Sequence, residues 1–147
     1  MATTTNMKKI SVLFVSAMML FSIHSTMAQC NAELYVNKSM KALESGFQFS
    51  KSYRIDGRGG SRKKIEYTCV FSKDTNYQIR IFGKDGNAQG VIGTLYDSKR
   101  NQMVSNYYNN KFLDGWTFKC RSTGIYYLTF TFKDSESFCG AAVLAFR

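Results

Sequence analysis

The chain has 147 residues, 44% of them hydrophobic and 20% charged, with 20 Lys and Arg against 10 Asp and Glu, and it contains four Cys, one His and no Pro. This length suits one domain of ordinary size, and the hydrophobic fraction is too high for a disordered chain. The absence of Pro, of sustained heptads and of biased tracts excludes collagen-like, coiled-coil and low-complexity proteins.

Residues 1–28 have the composition of an export signal. Lys8 and Lys9 form a positive start, an apolar stretch runs from Ile10 to Ile23, and small residues lead up to Ala28. The apolar stretch is shorter than the ~20 residues that a membrane-spanning helix needs. The pattern therefore predicts a signal peptide that is cleaved after Ala28 or the next residue, rather than a retained anchor or a buried helix.

The predicted mature chain, residues 29–147, forms a single domain that is exported to the periplasm or the extracellular space and has no transmembrane span. Cys30 directly follows the signal, as in lipoproteins, but Gln29 is bulkier than the Gly, Ala or Ser that the lipoprotein peptidase accepts. The only histidine, His24, leaves with the signal. Ser-His-Asp catalysis, Cys-His catalysis and the usual catalytic zinc sites require an imidazole, so they are excluded for the mature chain.

A helix over about residues 32–45 is predicted at the start of the mature chain. Apolar side chains recur at helical spacing from Ala32 to Leu43, with polar side chains on the opposite face. Asn31 is a suitable N-cap, and Gly46 suits the left-handed residue that ends a helix. A single apolar stripe indicates that this helix lies against a sheet face.

From residue 47 onward the apolar residues alternate with period two, which is typical of β-strands with one buried face. Seven or eight short strands are separated by turn signals rich in Gly and Asp. This spacing predicts an antiparallel β-sandwich filled by the many aromatic side chains. The last strand, from Cys139 to Phe146, is apolar on both sides, so we expect a central strand covered on two faces.

The four cysteines predict two disulfides, because the chain is expected to be exported and no two cysteines have the C-x-x-C spacing of zinc ribbons or thioredoxins. Three pairings are possible. Cys69 and Cys120 each share a strand face with aromatic residues, and a bridge between them would form if their strands are neighbours. Cys30 would then pair with Cys139 and join the start of the helix to the last strand.

Several short motifs in the second part of the chain follow the order of elements in a known family. They are Thr94-Leu95-Tyr96-Asp97-Ser98, the stretch from Asn101 to Asn106, Trp116-Thr117-Phe118 and Thr123-Gly124-Ile125-Tyr126-Tyr127-Leu128. Over residues 67–146 the chain resembles the pre-peptidase C-terminal type of bacterial β-sandwich, a small jelly-roll domain appended to secreted enzymes. The resemblance implies a jelly-roll-like accessory or binding module without catalytic residues. Gly93-Thr94 replaces the acidic residue that this family often carries before the Leu-Tyr strand, so no metal site is carried over.

The segment 56–64 is the first candidate binding site. Four cations, Arg58, Arg62, Lys63 and Lys64, stand around three glycines in this segment. Backbone amides in such a loop could cradle a phosphate or sulfate, and its charge would attract an anionic polymer or lipid headgroups. The other interpretation is a mobile, solvated hairpin loop.

A polar loop with two adjacent tyrosines is the second candidate site. Tyr107 and Tyr108 are flanked by Asn106, Asn109 and Asn110. Aromatic rings stack on the apolar faces of sugars, and amide side chains bond sugar hydroxyls, so the pattern suits a glycan. The alternative is that one tyrosine packs inward and the other is exposed, because adjacent residues of an extended chain point in opposite directions.

The sequence favours binding over catalysis and predicts no cofactor and no metal. Carboxylates are the remaining groups for general acid–base chemistry, and most aspartates sit in apparent turns, where Asp is common because it bonds the local backbone. The cations are spread along the chain rather than gathered on one element, and an exported protein rarely meets nucleic acid. We therefore predict no nucleic-acid partner.

We expect an exported, non-catalytic binding module of the cell envelope or extracellular space that recognises an anionic polymer or a glycan through the basic and Tyr/Asn loops. The first alternative is a structural or assembly partner of another envelope protein, suggested by the strongly apolar strands and the aromatic excess. The second alternative is a small hydrolase that uses paired carboxylates.

Overall fold

The computed structural model describes residues 29–84 and 86–147, and the predicted signal peptide lies outside these residues. In this part of the chain, no helix is long and apolar enough to cross a membrane. The elements in chain order are α1 (Ala32–Lys41), β1 (Gln48–Asp56), a short 3-10 turn (Arg58–Gly60), β2 (Lys64–Phe71), β3 (Asn76–Gly83), β4 (Val91–Tyr96), β5 (Gln102–Ser105), β6 (Tyr107–Tyr108), β7 (Lys111–Phe112), β8 (Gly115–Lys119), β9 (Gly124–Phe132) and β10 (Cys139–Phe146).

Eight of these strands form two antiparallel four-stranded sheets that enclose one hydrophobic core. Sheet A has the strand order β1-β10-β3-β8, and sheet B has the order β2-β9-β4-β5. Strands β6 and β7 form a separate hairpin with two residues in each strand. The predicted fold, a mainly β antiparallel sandwich with one N-terminal helix, is confirmed.

Strand β10 is the most completely buried element of the sandwich. It lies between β1 and β3 in sheet A, and α1 crosses the outer face of these three strands. Ala142 and Leu144 belong to the core between the sheets, whereas the alternate residues Ala141 and Val143 face the helix, and all four are buried. The predicted central strand covered on two faces is therefore confirmed.

The helix ends earlier than its sequence pattern predicts. It begins at Ala32 as expected but ends at Lys41, four residues before the predicted end. The helix stops because the amide of Glu44 has an acceptor outside the helix: it donates to the buried side chain of Gln78 in β3 at 3.0 Å. Asn31 occupies the N-cap position without making a side-chain cap hydrogen bond.

The core between the sheets contains two groups of aromatic rings. Tyr53, Tyr67 and Phe130 meet near the β1 and β2 margins, with the centroids of Tyr53 and Tyr67 at 4.8 Å. Phe71 stacks on Tyr77 across the two sheets at 3.8 Å. These large side chains explain how a short chain fills a two-layer core, since each buried ring removes roughly 150–250 Å² from water.

One disulfide joins the start of the helix to the first residue of β10. Cys30 and Cys139 are bonded, with their Cα atoms 5.4 Å apart. The guanidinium of Arg54 in β1 donates to the carbonyl of Cys30 at 2.9 Å and so fixes the same junction. The expected Cys30–Cys139 pairing is confirmed.

The expected Cys69–Cys120 pairing is wrong, because both cysteines are free and buried in the structure. The expectation required neighbouring strands, but Cys69 lies in β2, an edge strand of sheet B, and Cys120 follows β8, an edge strand of sheet A. The Cys69 thiol is hydrogen-bonded to the hydroxyl of Tyr53 at 3.1 Å. The Cys120 thiol donates to the carbonyl of Ser122, also at 3.1 Å.

We predict that the Cys30→Ala/Cys139→Ala variant loses about 4 kcal/mol of unfolding free energy, because the disulfide closes a long loop in the unfolded chain. Urea unfolding measures this loss. A reductant should destabilise the wild-type protein by a similar amount and leave the double variant unchanged. Alkylation in denaturant without reductant should add two labels, on Cys69 and Cys120, and four labels or none would contradict the observed pairing.

Candidate functional site

The strand registers define the two ends of the sandwich. At one end, Asp56 pairs with Cys139 and Lys64 pairs with Thr131. We call this the basic end, because the loop that joins β1 to β2 crosses it. At the opposite end, which we call the distal end, Gln48 pairs with Phe146.

The loop of residues 57–63, which we call the basic loop, is held against the sandwich by hydrogen bonds and ring contacts. Gly57 is buried, and its amide donates to the carbonyl of Phe138 at 2.8 Å. A Cβ at Gly57 would come within 2.6 Å of the Phe132 ring, and one at Gly60, where φ is +98°, would come within 3.1 Å of the Phe138 ring. Both glycines are therefore required for the loop backbone to lie on these rings.

The backbone of the basic loop does not provide the anion cradle that the glycines suggested. Five of its amides already donate to acceptors within the protein: those of Gly57, Arg58, Gly60, Ser61 and Arg62. The amide of Arg58, for example, donates to the carboxylate of Asp56 at 2.9 Å. The side chains, rather than the amides, are what this loop offers to an anion.

The four predicted cations of this segment divide into two groups. Arg58, Arg62 and Lys63 are exposed, and within residues 29–84 and 86–147 none of them is in an ion pair. Lys64 is different, because it is the first residue of β2 and its ammonium contacts Glu66 at 3.1 Å. With respect to the described residues, these three cations can bind an anion without first breaking an ion pair.

A cleft of about 600 Å³ opens beside the basic loop and over the disulfide. We call it the disulfide cleft. Its charged residues are Asp56, Arg58, Lys84 and Glu136. The remaining wall includes the rings of Tyr35 and Phe138, together with both disulfide cysteines.

Backbone conformation around this cleft is unusual. Arg58 and Phe138 both adopt the left-handed region, with φ values of 49° and 45°. Positive φ is uncommon for such bulky residues and costs on the order of 1–3 kcal/mol where the surroundings enforce it. The packing of Phe138 on the basic loop, beside the disulfide, supplies that constraint.

The hairpin of residues 107–112, which we call the tyrosine hairpin, separates its two tyrosines. The ring of Tyr107 contacts that of Phe112 at 4.8 Å, and its hydroxyl donates to Asn110 at 3.0 Å. Tyr108 is 71% exposed. Asn109 and Asn110 form the two-residue turn with positive φ, as in type I′ hairpins. The two rings therefore do not line one groove, and of the three predicted contact residues Tyr107, Tyr108 and Asn109, the last two are exposed.

A buried asparagine that the sequence did not single out as structural holds the tyrosine hairpin to the sandwich. Asn106 has no solvent exposure, and its side-chain oxygen accepts a hydrogen bond from the amide of Gly93 at 2.7 Å. Its side-chain nitrogen donates to the carbonyls of Val91 and Leu113. Its position next to two tyrosines suggested a sugar contact, and only the three-dimensional structure shows its role as an anchor.

Replacing Asn106 with alanine should therefore lower the unfolding free energy by about 3 kcal/mol, because two buried backbone groups and one partly buried carbonyl lose their partner. Asn37→Ala, at an exposed helix position, is the control and should change stability by less than about 0.5 kcal/mol. Urea unfolding gives both values. Hydrogen exchange should also accelerate at the amide of Gly93, and a variant with wild-type stability would contradict the anchoring role.

The two predicted binding loops leave the same end of the sandwich but from opposite margins. The basic loop leads into β2, whereas the tyrosine hairpin follows β5, and β9 and β4 lie between these strands in sheet B. Three strand spacings separate the margins by roughly 14 Å. A ligand that contacts both loops must therefore be extended, as a polymer is.

A charged network lies on the outer face of sheet B. Glu66 contacts the guanidinium of Arg100 at 2.7 Å and the ammonium of Lys64 at 3.1 Å. Arg100 also lies over the ring of Tyr127 at 3.6 Å. The hydrogen bond from Arg100, together with Lys64, lowers the pKa of Glu66 from 4.5 to about 2. The network joins the β4–β5 loop to strands β2 and β9.

This lowered pKa predicts a pH-dependent stability. Because the folded-state pKa of Glu66 lies below its ordinary value, the stabilisation is present above about pH 4.5 and is lost as the pH falls towards 2. Glu66→Gln should therefore be less stable than the wild type at pH 7, by under about 1 kcal/mol for these exposed pairs. In urea unfolding experiments the difference should shrink as the pH falls below 4.5 and disappear below about pH 2, the folded-state pKa of Glu66. Glu136→Gln serves as the control, and a difference that is as large at pH 2 as at pH 7 would contradict the prediction.

Two carboxylates, those of Asp56 and Glu136, line the disulfide cleft. One oxygen of Asp56 accepts from the Arg58 amide, and the other contacts the guanidinium of Arg54 at 3.1 Å. In the described ranges, no group of three or more Cys, Asp or Glu side chains is placed to hold a metal ion.

Fold and site together define a disulfide-linked β-sandwich with a rigid basic loop at one end. No family model matches the sequence, and no curated protein matches it. A solved structure of PliG from Aeromonas hydrophila, a periplasmic inhibitor of g-type lysozyme, is 10% identical with a TM-score of 0.45, and the match covers 71% of this chain and 91% of that chain.

The second likeness is to the pre-peptidase C-terminal domain of a collagenase from Bacillus anthracis. It is 19% identical with a TM-score of 0.42, and the match covers 66% of this chain and 86% of that chain. This is the type of domain that the sequence motifs over residues 67–146 also resemble. At these identities and TM-scores, neither likeness indicates a ligand or a partner.

Proposed function

We propose that this chain is an exported, non-catalytic binding module of the cell envelope or extracellular space, and that it recognises an anionic polymer or glycan at its basic end. Export is supported by the Cys30–Cys139 disulfide, since such bonds persist in oxidising compartments. The observation that carries the proposal is the basic loop, whose backbone is fixed while Arg58, Arg62 and Lys63 remain exposed and without ion pairs among the described residues.

A fixed loop favours binding because little conformational freedom is lost when the ligand docks. The three cations also favour an anionic ligand, since no ion pair with a described residue has to break first. In this proposal Arg58 extends the contact into the disulfide cleft, where Lys84 lies on the same lining. Tyr108 and Asn109 add a second contact to a ligand long enough to reach the tyrosine hairpin.

Paired carboxylates are not assigned a catalytic role in this proposal. The disulfide cleft brings Asp56 and Glu136 to one lining, but both oxygens of Asp56 are committed to Arg54 and to the Arg58 amide. A hydrolase would need one carboxylate free to exchange a proton with the substrate and a second one placed opposite it. The basic loop uses Asp56 as a turn residue instead.

The test compares two triple variants that remove the same charge. Arg58→Gln/Arg62→Gln/Lys63→Gln removes the basic loop cations, and Lys73→Gln/Lys119→Gln/Arg121→Gln removes three exposed cations at the distal end. We expect the first variant to bind heparin about tenfold more weakly, because three exposed charge contacts of roughly 0.5 kcal/mol each are lost. The distal variant should stay close to wild type.

Heparin chromatography and titration at low salt measure this difference, and the wild-type interaction should weaken as salt rises. Equal weakening of both variants would mean that net charge, rather than the basic loop, attracts the polymer. A glycan array with the wild-type protein and Tyr108→Ala tests the second contact. Silence of the wild-type protein both on heparin and on the array would overturn the proposal.

An envelope protein is the second candidate ligand, and one observation favours it. Val70 in β2 and Ile125 in β9 are directly opposite each other on the outer face of sheet B, and they are 72% and 47% exposed. An apolar cross-strand pair of this kind is a feature of protein contact surfaces. Capture of a protein that is lost in Val70→Thr/Ile125→Thr, and retained in the basic loop variant, would favour this candidate.

A further inference from the structure

A groove between the two sheets lies outside the site described above. Strands β1 and β2 are edge strands of different sheets, and the basic loop joins them at the basic end. Two hydrogen bonds and one ring contact hold these edges together. The hydroxyl of Tyr67 donates to the carbonyl of Arg54 at 2.6 Å, the hydroxyl of Tyr53 is hydrogen-bonded to the Cys69 thiol at 3.1 Å, and the Tyr53 and Tyr67 rings meet at 4.8 Å. Beyond them, towards the distal end, the edges leave an opening of about 390 Å³, which we call the edge groove.

The twist of each sheet explains why the opening lies at this end. Strands of stacked sheets cross at about 30°, so two edges that are tied together at one end diverge towards the other. Of the two hydrogen bonds, that of Tyr53 with Cys69 lies nearer the distal end. The groove begins there and extends to Phe146, the last residue of β10.

The lining of the edge groove is apolar at its base and polar at its rim. Core residues form the base, and Tyr53, Phe71, Tyr77 and Leu144 are each at most 8% exposed. Val70 and Phe146 line the groove as well and are 72% and 38% exposed. The rest of the lining consists of Ser50, Lys51, Thr68, Cys69, Ser72 and Thr75.

Of the residues that the structure describes, Lys51 is the only charged one in this lining. Its ammonium lies 5.6 Å from the centroid of the Tyr53 ring, and among the described residues it has no acidic partner. A cation beside an apolar groove complements a molecule that has one negative charge and a hydrocarbon chain. The volume lies within the range of about 300–1,000 Å³ that is typical of small-molecule sites.

We propose that the edge groove binds a small monoanionic amphiphile of the fatty-acid class. The hydrocarbon chain lies against Phe71, Tyr77 and Leu144, and the carboxylate lies beside the ammonium of Lys51. This site is independent of the proposed function, because it is on the β1 and β2 margin towards the distal end and uses none of the basic loop cations.

The two free cysteines provide a reporter and an internal control. Cys69 is in the wall of the groove and 6% exposed. Cys120 is fully buried and does not line the groove, and its thiol is hydrogen-bonded to the carbonyl of Ser122. Burial raises the pKa of the Cys69 thiol and so lowers its thiolate fraction, which is why all labelling rates are compared at one fixed pH. An uncharged maleimide is used because it can enter an apolar groove. The measured quantities are the labelling rates of the two cysteines, resolved by peptide mass spectrometry.

We expect N-ethylmaleimide to label Cys69 at least tenfold faster than Cys120 in the folded protein. Decanoate, below its micelle concentration, should slow labelling of Cys69 in a saturable manner and leave the rate at Cys120 unchanged. Equal labelling of both cysteines would overturn the open groove. Equal slowing of both by decanoate would overturn the site, because global stabilisation rather than occupancy would then explain the protection.

Charge variants test the assigned orientation. Lys51→Gln should weaken protection by decanoate about tenfold, and Lys119→Gln, an exposed cation in β8, should not. Decanol should protect the wild type and Lys51→Gln equally, because it lacks the charge. Protection by an extended peptide but not by decanoate would overturn the proposed ligand class.

The basic loop triple variant separates this inference from the proposed function. It should retain full protection of Cys69 by decanoate while losing heparin binding. Loss of both in that variant would overturn the independence of the two sites.

Discussion

The structure depends on the burial of β10 on both faces. A strand with no exposed face needs a second layer on each side, and sheet B and α1 are those layers. Apolar residues at consecutive positions of β10 make this possible, because neither side has a polar side chain to hydrate. The helix is short and would be marginal by itself, so its stability comes from this contact rather than from its own propensity.

The position of β10 also explains why the basic end is rigid. Its first residue, Cys139, is bonded to Cys30 in front of the helix, and the residue before it, Phe138, supports the basic loop. A flexible loop loses backbone conformational entropy when it binds a ligand. The backbone of the basic loop is already ordered by its contacts in the fold, so this entropy is lost during folding instead. The strained φ values of Arg58 and Phe138 belong to the same arrangement. Stability and the presentation of charge thus have one structural origin.

The sequence was sufficient for features that depend on local pattern. The pattern of apolar residues predicted the sandwich, the helix at its start and the doubly covered last strand, because the faces that each element buries determine which of its positions are apolar. It could not give features that depend on which strands are neighbours. Cys69 and Cys120 share aromatic strand faces, yet their strands are at edges of different sheets, and this information is absent from local spacing. The early end of the helix has the same origin, because Gln78 reaches Glu44 only after the sheet has formed.

In the candidate site as well, the sequence indicated local features but not those that depend on tertiary contacts. The basic loop was visible as a cluster of Arg, Lys and Gly, but its internal hydrogen bonds and its support by Phe138 were not. Asn106 was interpreted as a sugar contact because its neighbours are aromatic, and its burial against Gly93 could be seen only in three dimensions. The residue types indicated which polar and charged groups the two loops contain. Only the tertiary contacts show which of these groups already have hydrogen-bond partners within the protein.

The disulfide between Cys30 and Cys139 has a consequence for a protein that meets proteases. Every loop of the sandwich, including the basic loop and the tyrosine hairpin, lies between these two residues in the chain. A single cut in any of these loops would leave the two fragments covalently joined and their strands still interleaved. A nicked molecule would therefore remain assembled, with both of its fragments held in place by a single sulfur–sulfur bond.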